Sequence, residues 1–188
     1  MAKTQTIGAR EIAAAIERLA TAIAERHARR PQLLLLGVAN GGVELARRLA
    51  AILTQRVPEG RILAGVIDIS FHRDDIARHP VPKEFAPTRI PADVHGATIV
   101  LVDDVLFSGR TAKAALDEVF DHGRPTKVEL AVLVDRGGRR LPFAADYVGL
   151  NLAATEHEKV VVTLSAESPA RDAIRIEPIA ATARPSAV

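Results

Sequence analysis

With 188 residues, 48% of them apolar and 26% charged, the chain has the size and balance of one soluble domain that can bury a core without staples. It holds no cysteine, which excludes a disulfide framework, a thiolate nucleophile and a thiolate zinc site, and suits a cytoplasmic setting. A net charge of +2 with 3% aromatics fits a small anionic ligand and offers no stacking platform for single-stranded bases, and neither a signal peptide nor a membrane-spanning run is legible.

Residues 9–30 predict a helix, with Ile12, Ile16, Leu19, Ala20 and Ile23 at helical spacing and Pro31 as its stop. Leu33 to Leu36 is an unbroken apolar run ending in Gly37, the pattern of a strand buried on both faces. A glycine turn follows (Ala39-Asn40-Gly41-Gly42), then a second helix marked by Val43, Ala46, Leu49, Ala50 and Leu53. Ile62 to Ile69 reads as a second strand. Residues 71–95 hold four prolines among charges and no apolar period, the signature of a long binding loop or lid. Ala97 to Val102 predicts a third strand, Thr111 to His122 a third helix and Val128 to Val134 a fourth strand. Shorter strands are expected at Tyr147 to Leu150, Val160 to Leu164 and Ile174 to Ile179, with a disordered tail over 183–188. Alternating strands and helices imply an α/β fold: a central, mostly parallel sheet flanked by helices, with ligands at the C-terminal strand ends.

The most informative segment follows the third strand. Val102 is succeeded by Asp103 and Asp104, then by Val105, Leu106, Phe107, Ser108, Gly109, Arg110 and Thr111, where a helix opens. Backbone N–H groups at a helix start, with hydroxyls at Ser108 and Thr111 and a permissive Gly109, form a cradle for a phosphate. Two carboxylates beside it can accept from vicinal hydroxyls or support a hydrated magnesium ion. A phosphate next to a diol is a ribose phosphate. The blander reading is an N-capped helix with two surface acids.

The run from Leu101 to Thr111 resembles the phosphoribosyl-pyrophosphate (PRPP) signature of type I phosphoribosyltransferases, in the version of the PyrR type, pyrimidine-operon regulators with uracil phosphoribosyltransferase activity. Phe71-His72-Arg73-Asp74-Asp75, Gly123-Arg124-Pro125, Leu130 to Gly137 and Ala145 to Gly149 match further motifs in order, so the resemblance spans roughly residues 10–179. It implies a type I phosphoribosyltransferase fold over residues 1–182, with a lid at about 71–95 and a hood from parts of 135–180. It further implies that Asp103 and Asp104 contact the ribose hydroxyls, that 107–111 hold the 5-phosphate, and that Val38, Ala39, Asn40, Gly41 and Gly42 hold the pyrophosphate. Arg73 would be a pyrophosphate-facing cation of the lid, and Asp135, Arg136 and Gly137 would belong to the base-binding hood. Read alone, Gly41-Gly42 is a plain turn, and Asp135-Arg136 could equally be a surface ion pair.

The implied reaction moves ribose 5-phosphate from PRPP to uracil, giving UMP and pyrophosphate, with Mg2+ brought mainly by PRPP and no structural metal site. Implied partners are pyrimidine-operon mRNA and further copies of the chain, as a homodimer or larger assembly. The alternatives are a weakly catalytic, nucleotide-responsive mRNA-binding regulator, and a transferase for another base. The chain departs from the family pattern at several points. Asn40-Gly41-Gly42 replaces the usual Thr-Arg-Gly, Phe107-Ser108 replaces Tyr-Thr, Gly138 replaces a histidine and Leu150 a lysine. The six histidines are scattered, none at ligand-pair spacing, and are expected to be solvated or locally bonded.

Overall fold

The computed structural model describes residues 5–28, 32–39, 41–70, 72 and 87–179. The element order is β1 (Gln5–Gly8), α1 (Ala9–His27), β2 (Gln32–Val38), α2 (Gly41–Arg56), β3 (Arg61–Ile67), β4 (Thr98–Leu106), α3 (Arg110–His122), β5 (Lys127–Asp135), β6 (Tyr147–Asn151), β7 (Glu158–Thr163) and β8 (Ala173–Pro178). Among the described residues no helix is long and apolar enough to cross a membrane.

Five strands form a parallel sheet in the order β3-β2-β4-β5-β6, while β1, β8 and β7 form a separate antiparallel sheet. The apolar run of β2 explains its central place. Leu33 and Leu35 pack on the face covered by α1 and α2, with Ile12, Leu19, Leu45 and Leu49. Leu34 and Leu36 pack on the opposite face, with Ala112, Ala115 and Val119 of α3. All four leucines are at most 1% exposed; burying each is worth about 1.5–3 kcal/mol, which fixes β2 in the middle layer. The α/β architecture expected from the alternation is the one observed.

Element ends shift by one to three residues from the sequence reading, and three larger differences stand out. β1 was not anticipated: it has four residues and one buried side chain, Ile7, too little for a periodic signal. β4 does not end at Val102 but continues to Leu106, so that Asp103 and Asp104 lie within the strand. Parallel pairing with β5 carries it on, with Asp103 opposite Val132 and Leu106 opposite Asp135. Finally, the irregular span expected over 71–95 closes in packed chain. Val94 is buried with Ile90 and Ala92 against the α3 face of the sheet, and Arg89 pairs with Val66 of β3 through two backbone hydrogen bonds of 2.9 and 2.8 Å. Arg73, residues 74–86, Arg29, Arg30, Asn40 and the expected tail lie outside the described residues.

Candidate functional site

The chain leaves β2 toward β3 on one side, then crosses back to β4, β5 and β6 on the other. The order therefore reverses between β2 and β4, and the crevice at the carboxyl ends of these two strands is where such sheets bind ligands. Two of the segments singled out in the sequence flank that crevice. Val38 ends β2, Ala39 donates its N–H to Ile67 O at 2.9 Å, and Gly41 and Gly42 begin α2. On the other side Asp103, Asp104, Val105 and Leu106 end β4, Phe107 to Gly109 form the loop, and Arg110 and Thr111 open α3.

Gly42 is needed for close approach. A Cβ on Gly42 would stand 2.0 Å from Val102 O, and one on Gly41 would stand 2.3 Å from the Asp104 carboxylate. Val102 O is backbone, so Gly42 is required for the start of α2 to lie against β4, whereas a Cβ on Gly41 would push the Asp104 side chain aside. Gly41, Glu44 and Asp104 face Val162, Thr163 and Leu164 at the end of β7 across a cleft of about 420 Å³.

Asp103 is 7% exposed and its Oδ1 accepts the Asp104 N–H at 2.9 Å. Burial, and then repulsion by the Asp104 carboxylate, push the Asp103 carboxyl well above the usual range. Burial also raises Asp104. Among the described residues neither carboxylate has an ion-pair partner. A buried and a half-buried acid without cations among the described residues make a site that gains by meeting donors or positive charge from outside. Oxygen donors of this kind suit a hard ion such as magnesium that keeps part of its water.

The cradle sits next to the pair. Gly109 has φ +91°, a left-handed conformation that glycine adopts without strain, and it turns the chain into α3. The Ser108 hydroxyl lies 3.3 Å from the Arg110 N–H, and the first-turn N–H groups of α3 have no carbonyl within the helix. The loop is held from behind. Ser108 O accepts the N–H groups of Arg140 and Leu141 at 3.0 and 2.9 Å. The Arg139 guanidinium donates to Phe107 O at 2.8 Å and Leu106 O at 3.2 Å, and its Nε donates to Phe143 O at 3.0 Å. A loop whose carbonyls are occupied by a neighbouring segment keeps its N–H groups aimed outward, ready for an oxyanion.

The end of β5 is placed beside this loop, with its charged residues already engaged. Asp135 pairs with Arg139 and accepts the Gly137 N–H at 2.9 Å; Asp135 and Arg136 do not pair with each other. The Arg136 guanidinium is buried, stacks on the Phe107 ring at 4.0 Å, and donates to Thr155 O at 2.8 Å and Glu158 O at 2.9 Å. It braces the loop after β4 against the chain entering β7. Gly137 is exposed. Glu44 is a participant that the sequence reading did not assign to the site, and Arg139, expected within the hood, instead braces the loop after β4. Hydrogen bonds from Arg47, and then Arg48, hold the Glu44 carboxyl at about 2 despite partial burial. Helical spacing of Glu44 to Arg47 and Arg48 was a signal for that pairing, whereas nothing local pointed Arg139 at the carbonyls of residues 106 and 107.

A phosphoribosyl transferase domain model matches residues 4–168 of the chain. The chain is 49% identical over 178 residues to the bifunctional protein PyrR of Streptomyces coelicolor, spanning 93% of this chain and 91% of that protein. It is 46% identical over 165 residues to the bifunctional protein PyrR of a Roseiflexus species, spanning 87% and 89%. The hypoxanthine phosphoribosyltransferase of Trypanosoma cruzi superposes with a TM-score of 0.64 at 21% identity, covering 91% of this chain and 94% of that one. A hypoxanthine-guanine phosphoribosyltransferase from Bacillus anthracis gives a TM-score of 0.60 at 20% identity, covering 86% and 87%. At such identities these two structures speak for the fold alone.

Proposed function

The chain belongs to the phosphoribosyl transferase domain family, and from that membership we propose that it transfers the phosphoribosyl group of PRPP to uracil, giving UMP and pyrophosphate. The observation that carries this reading is the acid pair, Asp103 buried and Asp104 half-buried with no ion-pair partner among the described residues, beside a braced helix start at the reversal point of the sheet. Asp103 and Asp104 accept from the ribose hydroxyls. The first-turn N–H groups of α3, with Ser108 and Thr111, hold the 5-phosphate, and the start of α2 receives the pyrophosphate. Bound with PRPP, magnesium neutralises charge on the departing pyrophosphate. No protein nucleophile is required. The anomeric carbon gains oxocarbenium character as its bond to pyrophosphate breaks, and uracil N1 closes on it, losing its proton. Rate enhancement comes from positioning and from fixed dipoles in a site shielded from water. The small sheet of β1, β8 and β7 serves as the hood, with Asp135, Arg136 and Gly137 at its border. Because Arg136 is engaged elsewhere, the uracil edge is read by backbone groups and shape. Arg73 and the lid complete this reading, together with a cytoplasmic setting and a self-associated form.

A second activity belongs to the same reading, since the close relatives carry the word bifunctional in their names: regulation of pyrimidine gene expression through mRNA. Its electrostatic support is limited. Among the basic groups that an RNA could meet, Arg26 pairs with Glu129 and Asp146, and Arg139 is spent on Asp135 and nearby carbonyls. Arg140 is exposed. The deciding assay is UMP formation from uracil, PRPP and Mg2+, with other bases as competitors. Turnover with uracil is expected. Turnover confined to another base would move the specificity. Absence of turnover with salt-dependent RNA binding would make the chain a regulator without transferase activity.

A further inference from the structure

Away from the crevice, side chains with metal-binding chemistry converge where the loop after β3 meets the last turns of α3. His72 Nε2 lies 2.9 Å from Glu118 Oε2 and 3.4 Å from Asp121 Oδ2. His122 Nε2 lies 3.2 Å from the second Glu118 oxygen. One ligand atom each from His72, Glu118 and Asp121 lies within 4.8 Å of the others. Glu118, Asp121 and His122 stand at i, i+3 and i+4, on one side of α3. Thr88 Oγ1 donates to Glu118 Oε1 at 2.6 Å and accepts the Asp68 N–H at 3.0 Å, so the carboxylate is oriented from outside the cluster as well.

We propose that His72, Glu118 and Asp121 form a binding site for a divalent transition-metal ion of the zinc class. Zinc bonds of about 2.0–2.1 Å in a tetrahedron set donor atoms about 3.3 Å apart, and the spacings of 2.9 and 3.4 Å from His72 to Glu118 and Asp121 lie on either side of that value. A set of hydrogen bonds gives similar distances, so spacing alone does not decide. Composition selects among ions: imidazole nitrogen together with carboxylate oxygen favours zinc, cobalt or nickel over magnesium and calcium. The acid pair at the end of β4 offers oxygen only, so the two sites sort ions of different hardness. Burial points the same way. Glu118 and His72 side chains are 14% and 22% exposed, while Asp121 at 69% leaves an open side for entry and for a water ligand. Thr88 supplies the outer hydrogen bond that holds a ligating carboxylate in place. An ion there would fasten the loop after β3 to α3, joining residues 46 positions apart in sequence.

The test uses the whole chain without appended histidines, stripped by chelator, in excess Mg2+ so that oxygen-only sites are filled. Co2+ is titrated in while its visible absorption is followed. One saturable equivalent with a band characteristic of nitrogen and oxygen ligands is expected. His72→Ala and Asp121→Asn should each weaken it at least tenfold, and Asp104→Asn should leave it intact. Asp121 is exposed, so its variant has no core to lose. The proposal is overturned by the absence of any saturable band, by a band unchanged in both His72→Ala and Asp121→Asn, or by one abolished in Asp104→Asn, which would place the ion at the acid pair.

Discussion

Neighbouring strands of one sheet carry buried acids at opposite ends, and the protein treats them in opposite ways. At the carboxyl end of β4, Asp103 and Asp104 face each other's charge with no cation among the described residues, and burial drives both carboxyls upward. Near the start of β5, Glu129 is 2% exposed yet surrounded by donors. Its Oε1 meets Lys127 Nζ at 2.5 Å and Arg26 Nε at 3.1 Å; its Oε2 meets His27 Nε2 at 2.6 Å and accepts the Tyr147 hydroxyl at 2.8 Å. Burial alone would raise the Glu129 carboxyl, but hydrogen bonds from Lys127, Tyr147 and His27 outweigh it and hold the group at about 2. Burial, and then its own bond to Glu129, push the Tyr147 phenol upward. An acid satisfied from within contributes to stability. An acid left unsatisfied costs stability and keeps its affinity for something outside.

The sharpest test of that division replaces both acids of β4. Asp103→Asn with Asp104→Asn should weaken PRPP binding at least tenfold in the presence of Mg2+. The cause is the loss of two charged hydrogen bonds worth about 1.5–3 kcal/mol each, one decade corresponding to about 1.4 kcal/mol. The melting temperature should hold or rise. Unchanged affinity by calorimetry in a folded variant would remove the main support for the ligand role of the pair.

At the other end the expectation reverses. Glu129→Gln should destabilise the fold by about 3 kcal/mol, the scale for stripping one partner from a buried charge cluster, with the PRPP affinity of the folded protein unchanged. Denaturant melts against pH check the sign. The Glu129 carboxyl is lower in the folded than in the unfolded chain, so its contribution is full above about 4.5 and fades as pH falls toward about 2. The gap between variant and parent should close over that window. A gap that persists at the acid end would assign the effect to packing instead.

Tyr147→Phe removes one donor from Glu129 while keeping the ring under Arg26, whose guanidinium carbon lies 5.7 Å from the ring centroid. A loss of about 1.5 kcal/mol, the lower bound for a charged hydrogen bond, is expected from equilibrium unfolding. A loss near zero would mean that Lys127 and His27 already satisfy the acid.

The smallest expected effect is a gain. Asp103→Asn alone should stabilise by up to about 1 kcal/mol at neutral pH, because it removes a buried charge while an amide oxygen can still accept the Asp104 N–H. A raised folded-state carboxyl means that the penalty is full above its folded value and vanishes as pH falls toward the unfolded value of about 3.9. The gain should shrink along the same path. A gain independent of pH would have another origin.

What could be read from the sequence, and what could not, follows the same physics. The runs Leu33–Leu36 and Ile99–Val102 announced buried strands because continuous apolarity has few other uses, and the Ser-Gly-Thr segment announced the start of α3. The acid pair is recognisable as a candidate site, but its charge predicts the end of the strand at Val102, four residues before the observed end. β5 shows why that inference fails: a partner strand holds backbone in register whatever the side chains carry. Contacts without local periodicity were illegible. His27, expected to be solvated or bonded locally, is 4% exposed and meets Glu129 across 102 positions. His72 meets Glu118 across 46, and no spacing rule links either pair.

The pairing of Arg89 with Val66 has a consequence for what the molecule avoids. β3 lies at the border of the parallel sheet, and a bare border strand is a template on which another chain can add itself. Here the chain's own return occupies Val66 on both its N–H and its carbonyl. Pro91 presses close by as well: a Cβ built on Gly65 would lie 2.5 Å from Arg89 O and 2.8 Å from Pro91 Cδ. A second copy cannot zip onto β3 there without first displacing that plug. The segment that returns the chain to the sheet thus also guards against strand-by-strand aggregation.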